Sequence, residues 1–229
     1  MKKRVVILIS GRGSNMTALI DAAGDPHYPV EIVGVISDNA DAMGLKAAAA
    51  ANIATKAITK ADFPTKAALD EALDAELTRM KADVVCLAGY MRLLSPAFTE
   101  KWAGRIINIH PSLLPLFKGL DTHTRALESG MRVHGCTVHF VTAGMDEGPI
   151  IAQAAVPILP DDTEADLSAR VLTVEHQLYP LALRLVATGK ARMENDKAVL
   201  TGVSAEGAVL SPGSASDDID IESLARMTP

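Results

Sequence analysis

This sequence has few cysteines, no long apolar run and no excess of positive charge, and each of these shortages excludes a class of protein. Two cysteines among 229 residues are too few for a disulfide-stapled scaffold. No apolar run reaches the length that crosses a bilayer as a helix, so we expect no association with a membrane. The formal net charge of −6 carries no electrostatic signature of a nucleic-acid partner. Cys86 and Cys136 each lie inside an apolar run, which predicts buried free thiols in a reducing, cytoplasmic compartment.

The sequence also lacks the motifs of metalloenzymes and of covalent hydrolases. It contains no H-E-x-x-H motif and no cluster of cysteine and histidine, which predicts that there is no metal site. His134 and His139 are five residues apart on a predicted strand, so we expect them to face opposite sides. No serine or cysteine occupies a nucleophile elbow, so the sequence offers no candidate nucleophile for an acyl transfer through a covalent enzyme intermediate.

Predicted strands and helices alternate over the first 110 residues. Strands are predicted at the apolar runs RVVILIS, VEIVGVIS, ADVVCLAG and RIINIH, and a shorter one at ATKAIT. Helices are predicted between them at MTALIDAA, DAMGLKAAAAAN and PTKAALDEALDAELTRMK. We expect Ser14 or Asn15 to cap the first helix and Pro64 to open the third. The alternation predicts an α/β fold with an open, mostly parallel, Rossmann-like sheet and helices on both faces.

The pattern changes after residue 130. The runs HGCTVHFV and PIIAQAAVPI predict an antiparallel pair that extends the sheet towards the C-terminus. Thr163 and Asp166 form a capping box for a long helix, which we expect to kink at Pro180. Its predicted inner face carries Leu167, Val171, Val174, Leu178, Leu181 and Leu185. Residues 1–201 are thus predicted to be one domain, and residues 202–229, rich in Gly, Ser, Pro and acids, a flexible acidic tail.

A glycine-rich loop, SGRGSN, follows the first predicted strand and opens the first helix. Backbone N–H groups and the helix dipole at such a position suit an anion such as a phosphate. Gly11 and Gly13 would allow a close approach, and Ser14 and Asn15 would add side-chain donors. The third glycine of the dinucleotide fingerprint and the lysine of the nucleotide P-loop are both missing. Two interpretations stay open, a phosphate site or a tight turn without a ligand.

Two polar residues stand at the end of the buried strand RIINIH. Asn108 and His110 are two apart and point the same way, and Pro111 ends the strand. An amide can donate to a developing oxyanion, and an imidazole can move a proton near neutral pH. Asp146, in the loop MDEGP, is a carboxylate that could tune this histidine. The alternative is a core histidine, with Asn108 bonded to the backbone.

Glu175 lies on the predicted inner face of the long helix, where a carboxylate needs a partner. It could pair structurally with Arg170 or His176, or it could face a bound ligand. The sequence leaves these alternatives open.

Several of these motifs together resemble a known family, the glycinamide ribonucleotide formyltransferases of purine synthesis. The motifs are ISGRGSN, LAGYMRLLSP, NIHPSLLP, KGLDTHTRALESG, HGCTVHFVTAGMDEGPII and VEHQLYP, in the family's order from about residue 3 to 200. The resemblance implies formyl transfer from 10-formyltetrahydrofolate, as co-substrate, to the amine of glycinamide ribonucleotide without a metal. It also implies a phosphate-binding N-terminal half and a folate-binding C-terminal half, in a monomer or a homodimer.

The same resemblance implies a role for each candidate residue. It makes His110 the acid and base, Asp146 the residue that orients it and Asn108 the oxyanion donor. Gly13, Ser14 and Asn15 would hold the substrate phosphate, and Glu175 would meet the ribonucleotide. The folate pocket would contain Lys66, Met91, Arg92, Leu93, Leu94 and Asn108. Two positions depart from the family: Lys66 stands where many members have an arginine, and Leu172 where a polar residue often reaches the substrate.

Three rival functions share part of this pattern. Formyltetrahydrofolate deformylase would pass the formyl group to water, but that family has an additional N-terminal domain, and this sequence begins at its first predicted strand. Methionyl-tRNA formyltransferase carries a basic C-terminal domain, whereas the tail here is acidic. A non-catalytic nucleotide-binding module would account for the glycine loop but not for Asn108, His110 and Asp146.

Overall fold

Nine strands and six α-helices make up residues 1–203, the part of the chain that a computed structural model describes. The predicted tail, residues 202–229, lies almost wholly outside this range. The strands are β1 Lys3–Ile9, β2 Val30–Ser37, β3 Thr55–Ala57, β4 Val84–Leu87, β5 Ile106–His110, β6 Val133–Phe140, β7 Ile150–Pro157, β8 Ala191–Glu194 and β9 Lys197–Leu200. The α-helices are α1 Ser14–Ala23, α2 Met43–Ala50, α3 Lys66–Arg79, α4 Pro96–Lys101, α5 Thr122–Glu128 and α6 Glu164–Ala187, with a 3₁₀ helix at Lys60–Asp62.

Seven strands form one mixed sheet in the order β3-β2-β1-β4-β5-β6-β7. The pairs from β3 to β5 are all parallel, and β6 is antiparallel to both β5 and β7. This confirms the predicted Rossmann-like sheet and its antiparallel extension. The strand order reverses at β1 and β4, the position at which open α/β sheets bind ligands beyond the carboxyl ends of their strands.

The sheet is covered on both faces, and β1 shows why its sequence is continuously apolar. Val5, Ile7 and Ile9 pack into one core, with α1 and α6, while Val6 and Leu8 pack into another, with α3 and α4. Because successive side chains of a strand point to opposite faces, a strand between two helical layers has no polar side. The polar end of β5 is therefore an exception within a sheet whose central strands are buried.

Two predicted helix starts are wrong by one or two residues. The N-cap of α1 is Gly13 in a left-handed conformation (φ 76°), not Ser14 or Asn15, and it makes no side-chain capping bond. Helix α3 begins at Lys66 after the N-cap Thr65, whose side chain accepts a hydrogen bond from the N–H of Ala68. Pro64 precedes this cap, because a threonine hydroxyl satisfies a free N–H group, which proline cannot do.

The predicted inner face of α6 is correct except at Leu181, since Val174 and Leu185 are partly buried against the core. The capping box of Thr163 and Asp166 is present, and Leu167, Val171 and Leu178 are buried. Leu181, however, is 51% exposed, and the buried residues after Leu178 are Tyr179, Ala182 and Leu183. The buried stripe continues at spacings of three and four residues, which carries it past position 181. The helix continues through Pro180, and the kink there stays a prediction.

A small hairpin of β8 and β9 was not anticipated. Asn195 and Asp196 join its strands, and both have positive φ (49° and 57°), as a two-residue type I′ turn requires. An Asn-Asp pair between two short apolar and polar runs is the signal that would have predicted it.

Candidate active site

The candidate residues converge on a cleft at the carboxyl ends of β1, β4 and β5. The cavity has a volume of about 440 Å³. It is lined by Asn15, Gly89, Tyr90, Met91, Arg92, Leu93, Asn108, Ile109, His110, Pro111, Gly119, Leu120, Met145, Asp146 and Glu175. Residues separated by up to 160 positions in the chain therefore face one space, at the point where the strand order reverses.

His110 is held at both of its ring nitrogens. Its Nε2 donates to the carbonyl oxygen of Phe117 at 3.0 Å, and its Nδ1 lies 3.3 Å from Oδ2 of Asp146. A carbonyl oxygen only accepts hydrogen bonds, so Nε2 carries a hydrogen, and Nδ1 faces the carboxylate of Asp146. The pairing of His110 with Asp146 that the sequence suggested is present in the geometry.

Asn108 contacts His139, a residue that the sequence did not indicate as part of the site. Its Nδ2 lies 3.2 Å from Nε2 of His139, directly across the antiparallel pair of β5 and β6. The other ring nitrogen of His139 donates to the carbonyl of Phe140 at 2.8 Å, so Nε2 has a free lone pair and accepts from the amide. Burial lowers the pKa of His139, opposed by the Phe140 carbonyl and by Asp146. A neutral His139 therefore orients Asn108 and leaves the second amide hydrogen free for a ligand.

Asp146 is placed by its backbone as much as by its partners. It has a positive φ of 52°, and its Oδ2 accepts a hydrogen bond from the N–H of Gly119 at 2.9 Å. Two residues later, Gly148 passes so close to β6 that a Cβ atom there would lie 1.7 Å from the carbonyl oxygen of Phe140. The loop is thereby pressed against the strand that carries His139.

Glu175 pairs with Asn15 and not with Arg170 or His176. Nδ2 of Asn15 donates to Oε2 of Glu175 at 2.7 Å, while Arg170 pairs with Asp162. Burial raises the pKa of Glu175, and the hydrogen bond from Asn15 opposes this shift. Asn15 is 9% exposed, and its Oδ1 is buried with no hydrogen-bond partner within residues 1–203. Both side chains line the cleft, so this polar pair can meet a ligand there.

The glycine loop forms its own cavity of about 280 Å³ next to the cleft, lined in part by Gly11, Gly13, Ser14 and Asn15. Ser10 joins it to the segment after β4, because its N–H donates to the carbonyl of Gly89 and its Oγ accepts from the N–H of Met91. Asn15 lines both cavities and so connects them.

The predicted folate residues also line two further cavities. Lys66, Met91, Arg92 and Leu93 line one of about 640 Å³. Leu94 is buried and instead lines a small cavity of about 90 Å³ with Asn108, His139 and Asp146. Arg92 donates to Oδ1 of Asp70 at 3.0 Å. Apolar side chains next to cations suit a flat, partly aromatic ligand with a carboxylate tail.

The two cysteine thiols of the described residues do not offer a nucleophile. Cys86 and Cys136 are buried, and burial raises the pKa of each thiol to about 12, so neither is a nucleophile near neutral pH. Within residues 1–203, no group of three or more His, Cys, Asp or Glu side chains could hold a metal ion. In the same part of the chain, no helix is long and apolar enough to span a membrane.

Comparisons with known proteins point to one family. The family described as formyl transferase matches residues 3–183. The chain is 48% identical over 198 residues to phosphoribosylglycinamide formyltransferase of Escherichia coli K12, covering 86% of this chain and 93% of that protein. It is 49% identical over 197 residues to the human trifunctional purine biosynthetic protein adenosine-3, covering 86% of this chain but 20% of that longer protein.

A solved structure gives the same result. The crystal structure of phosphoribosylglycinamide formyltransferase from Brucella melitensis superposes with a TM-score of 0.82 at 55% identity, over 92% of this chain and 100% of that one. The chain thus spans almost the full length of single-function relatives and a fifth or less of the trifunctional ones.

Proposed function

The chain belongs to the formyl transferase family, and from this premise we propose that it transfers the formyl group of 10-formyltetrahydrofolate to the amine of phosphoribosylglycinamide. The products are N-formylglycinamide ribonucleotide and tetrahydrofolate, a one-carbon step of purine biosynthesis. The observation that carries the proposal is the convergence of Asn108, His110 and Asp146 on one cleft, beside the glycine loop.

Direct attack by the substrate amine fits this set of side chains. The amine nitrogen bonds to the formyl carbon, and the carbonyl oxygen becomes an oxyanion to which the free amide hydrogen of Asn108 donates. The amine then loses one proton, and N10 of the folate gains one as its bond to carbon breaks. Nδ1 of His110, next to Asp146, moves this proton, so no enzyme nucleophile is needed.

Each substrate has a place that fits its chemistry. The phosphate goes to Gly13, Ser14 and Asn15 in the glycine loop, and the pair of Asn15 and Glu175 meets the glycinamide portion. The folate lies along Met91, Arg92, Leu93 and Leu94, with Lys66 and Arg92 near its carboxylates. The small cavity beside Asn108 would then bring the formyl carbon to the amide.

An assay with both substrates tests the proposal. We expect formylated ribonucleotide and tetrahydrofolate in equal amounts, and no release of formate when the amine acceptor is omitted. Formate release from the folate alone would identify a deformylase instead. Binding of the ribonucleotide without any folate turnover would identify a non-catalytic module.

A further inference from the structure

A short loop before α5, residues 117–120, holds both members of the candidate catalytic pair, His110 and Asp146. The carbonyl oxygen of Phe117 accepts a hydrogen bond from Nε2 of His110 at 3.0 Å. The N–H of Gly119 donates to Oδ2 of Asp146 at 2.9 Å. The backbone of this loop therefore sets where the imidazole and the carboxylate lie relative to each other.

The conformation of the 117–120 loop is not one that its own residues favour. Phe117 has a positive φ of 53°, and Gly119 one of 79°. The left-handed region is uncommon for a residue with a bulky side chain, and such a conformation persists only where surrounding contacts stabilise it. Contacts from a neighbouring element must therefore hold the carbonyl of Phe117 in place.

Arg125 of α5 supplies such contacts in three places. Its Nη1 donates to the carbonyl oxygens of Lys118 at 2.7 Å and Leu120 at 3.3 Å. Its guanidinium carbon lies 5.3 Å from the centre of the Phe117 ring, within the range of a cation–π contact. Alternate residues of the loop thus contact Arg125 and the candidate catalytic pair.

A second link to the loop is the ion pair of Lys118 with Glu147, the residue after Asp146. The Nζ and Oε1 atoms are 2.8 Å apart, but the two side chains are 35% and 56% exposed. Two hydrogen bonds from a charged donor to backbone carbonyls are worth more than one exposed ion pair. Arg125 is therefore the stronger of the two holds on the loop.

We propose that Arg125 is a positioning residue for this reaction: it fixes the backbone of the 117–120 loop, and the loop holds His110 and Asp146 in the geometry that moves the proton. Arg125 is not among the described residues that line the cleft, so it acts through the loop and not on a substrate. The inference rests on the proposed function for the reaction that it serves, whereas the positioning is a property of the free protein.

Arg125→Met tests the proposal in turnover, because methionine keeps an unbranched side chain and loses both donors. The kcat should fall by about tenfold, as for a lost hydrogen bond to a charged group. The KM values for both substrates should stay within about twofold of the parent protein. Arg125→Lys should recover part of the kcat, since an ammonium keeps the charge but not the planar fork.

NMR of the free protein tests the positioning itself. The hydrogen on Nε2 of His110 should exchange with water about tenfold faster in Arg125→Met, because the Phe117 carbonyl no longer holds it steadily. The backbone amides of β1, in the centre of the sheet, should exchange at the parental rate.

Arg105→Met is the matched control, because Arg105 also combines a hydrogen bond to a backbone carbonyl with a ring contact. Its Nη2 donates to the carbonyl of Lys101 at 3.0 Å, and its guanidinium carbon lies 4.1 Å from the centre of the Trp102 ring. We expect parental kcat and parental exchange at His110.

Parental kcat together with parental exchange at His110 in Arg125→Met would overturn the proposal. Equally accelerated exchange in the amides of β1 would also overturn it, because that result would show a general loss of stability. If the parent protein gives no formylated product but Arg125→Met accelerates exchange at His110 alone, the proposed function fails and the positioning role of Arg125 stands.

Discussion

At the scale of single residues, Asp146 does two things with one carboxylate. Oδ2 faces Nδ1 of His110 at 3.3 Å and also accepts the N–H of Gly119 at 2.9 Å. The first contact orients the imidazole, and the second fixes the carboxylate in the loop. A neutral amide in this place could keep part of the geometry but would remove the negative charge next to the imidazole of His110.

Asp146→Asn should therefore lower kcat by roughly 10²-fold or more, the size of a lost acid–base partner, with a smaller effect on KM. Steady-state kinetics with both substrates measures this. Asp161→Asn makes the same chemical change at an exposed position before α6 and should leave kcat unchanged. An Asp146→Asn enzyme that retains parental kcat would show that His110 works without the carboxylate.

The two loop glycines differ in what a side chain would meet. A Cβ at Gly11 would have no neighbour within 4 Å, whereas one at Gly13 would lie 3.1 Å from Cε of Met16 and 3.2 Å from Cα of Gly44, at a positive φ of 76°. Gly11→Val should preserve the free energy of unfolding but raise the Kd for the ribonucleotide, because the side chain enters the cavity of the glycine loop, where we propose that the phosphate binds. Gly13→Val should lower the free energy of unfolding, which a urea titration measures. Unchanged ribonucleotide affinity of Gly11→Val would reduce the loop to a turn.

At the scale of elements, α6 joins the core to the site. Its buried face packs under the sheet and places Glu175 against Asn15 of α1. Leu178 is 6% exposed, and Leu181, three residues later, is 51% exposed. Leu178→Ala should lower the free energy of unfolding by about 2–5 kcal/mol. Leu181→Ala should change it by less than about 0.5 kcal/mol. Equal losses in urea titrations of the two variants would contradict the observed phase of the helix.

The sequence predicts these elements well where one physical signal dominates. Buried strands are apolar on both faces, so β1, β2, β4 and β5 stand out, and the spacing of two places Asn108 and His110 on one side. Contacts between distant elements carry no such signal. His139 faces Asn108 only through the register of β5 and β6, and Asn15 meets Glu175 only once α1 and α6 are packed. Helix starts were misplaced because several neighbouring residues can each act as the cap.

At the scale of the whole molecule, a buried histidine couples folding to pH. His134 is fully buried, and its ring packs in T-shaped geometry with the rings of His123 and Phe117, at centroid distances of 5.3 and 6.0 Å. Burial, together with His123 and His110, lowers its pKa from 6.5 to about 4, opposed by the Pro111 backbone. Between these two pH values the unfolded chain therefore binds more protons than the folded protein. The contribution of neutral His134 to the free energy of unfolding is present above pH 6.5 and is lost as the pH falls towards 4.

His134→Phe should flatten the fall in unfolding free energy between pH 7 and pH 4, because it removes this group while keeping an apolar ring in the core. Urea titrations at several pH values measure the slope. His27→Gln, at an exposed position, should show the same slope of unfolding free energy against pH as the parent protein. A parental slope in His134→Phe would assign the acid sensitivity to other groups.

Gly148 restricts which sequences evolution can use for this site. A Cβ there would overlap the carbonyl oxygen of Phe140 and come within 3.3 Å of Nδ1 of His139, so no substitution is free of a clash with β6. In a library randomised at position 148, with growth dependent on formyl transfer, we expect glycine alone to survive. Recovery of alanine at the frequency of glycine would refute this. If glycine alone survives, we expect position 148 to be as invariant under selection as Asp146, although Gly148 contributes only the space that a side chain would otherwise fill.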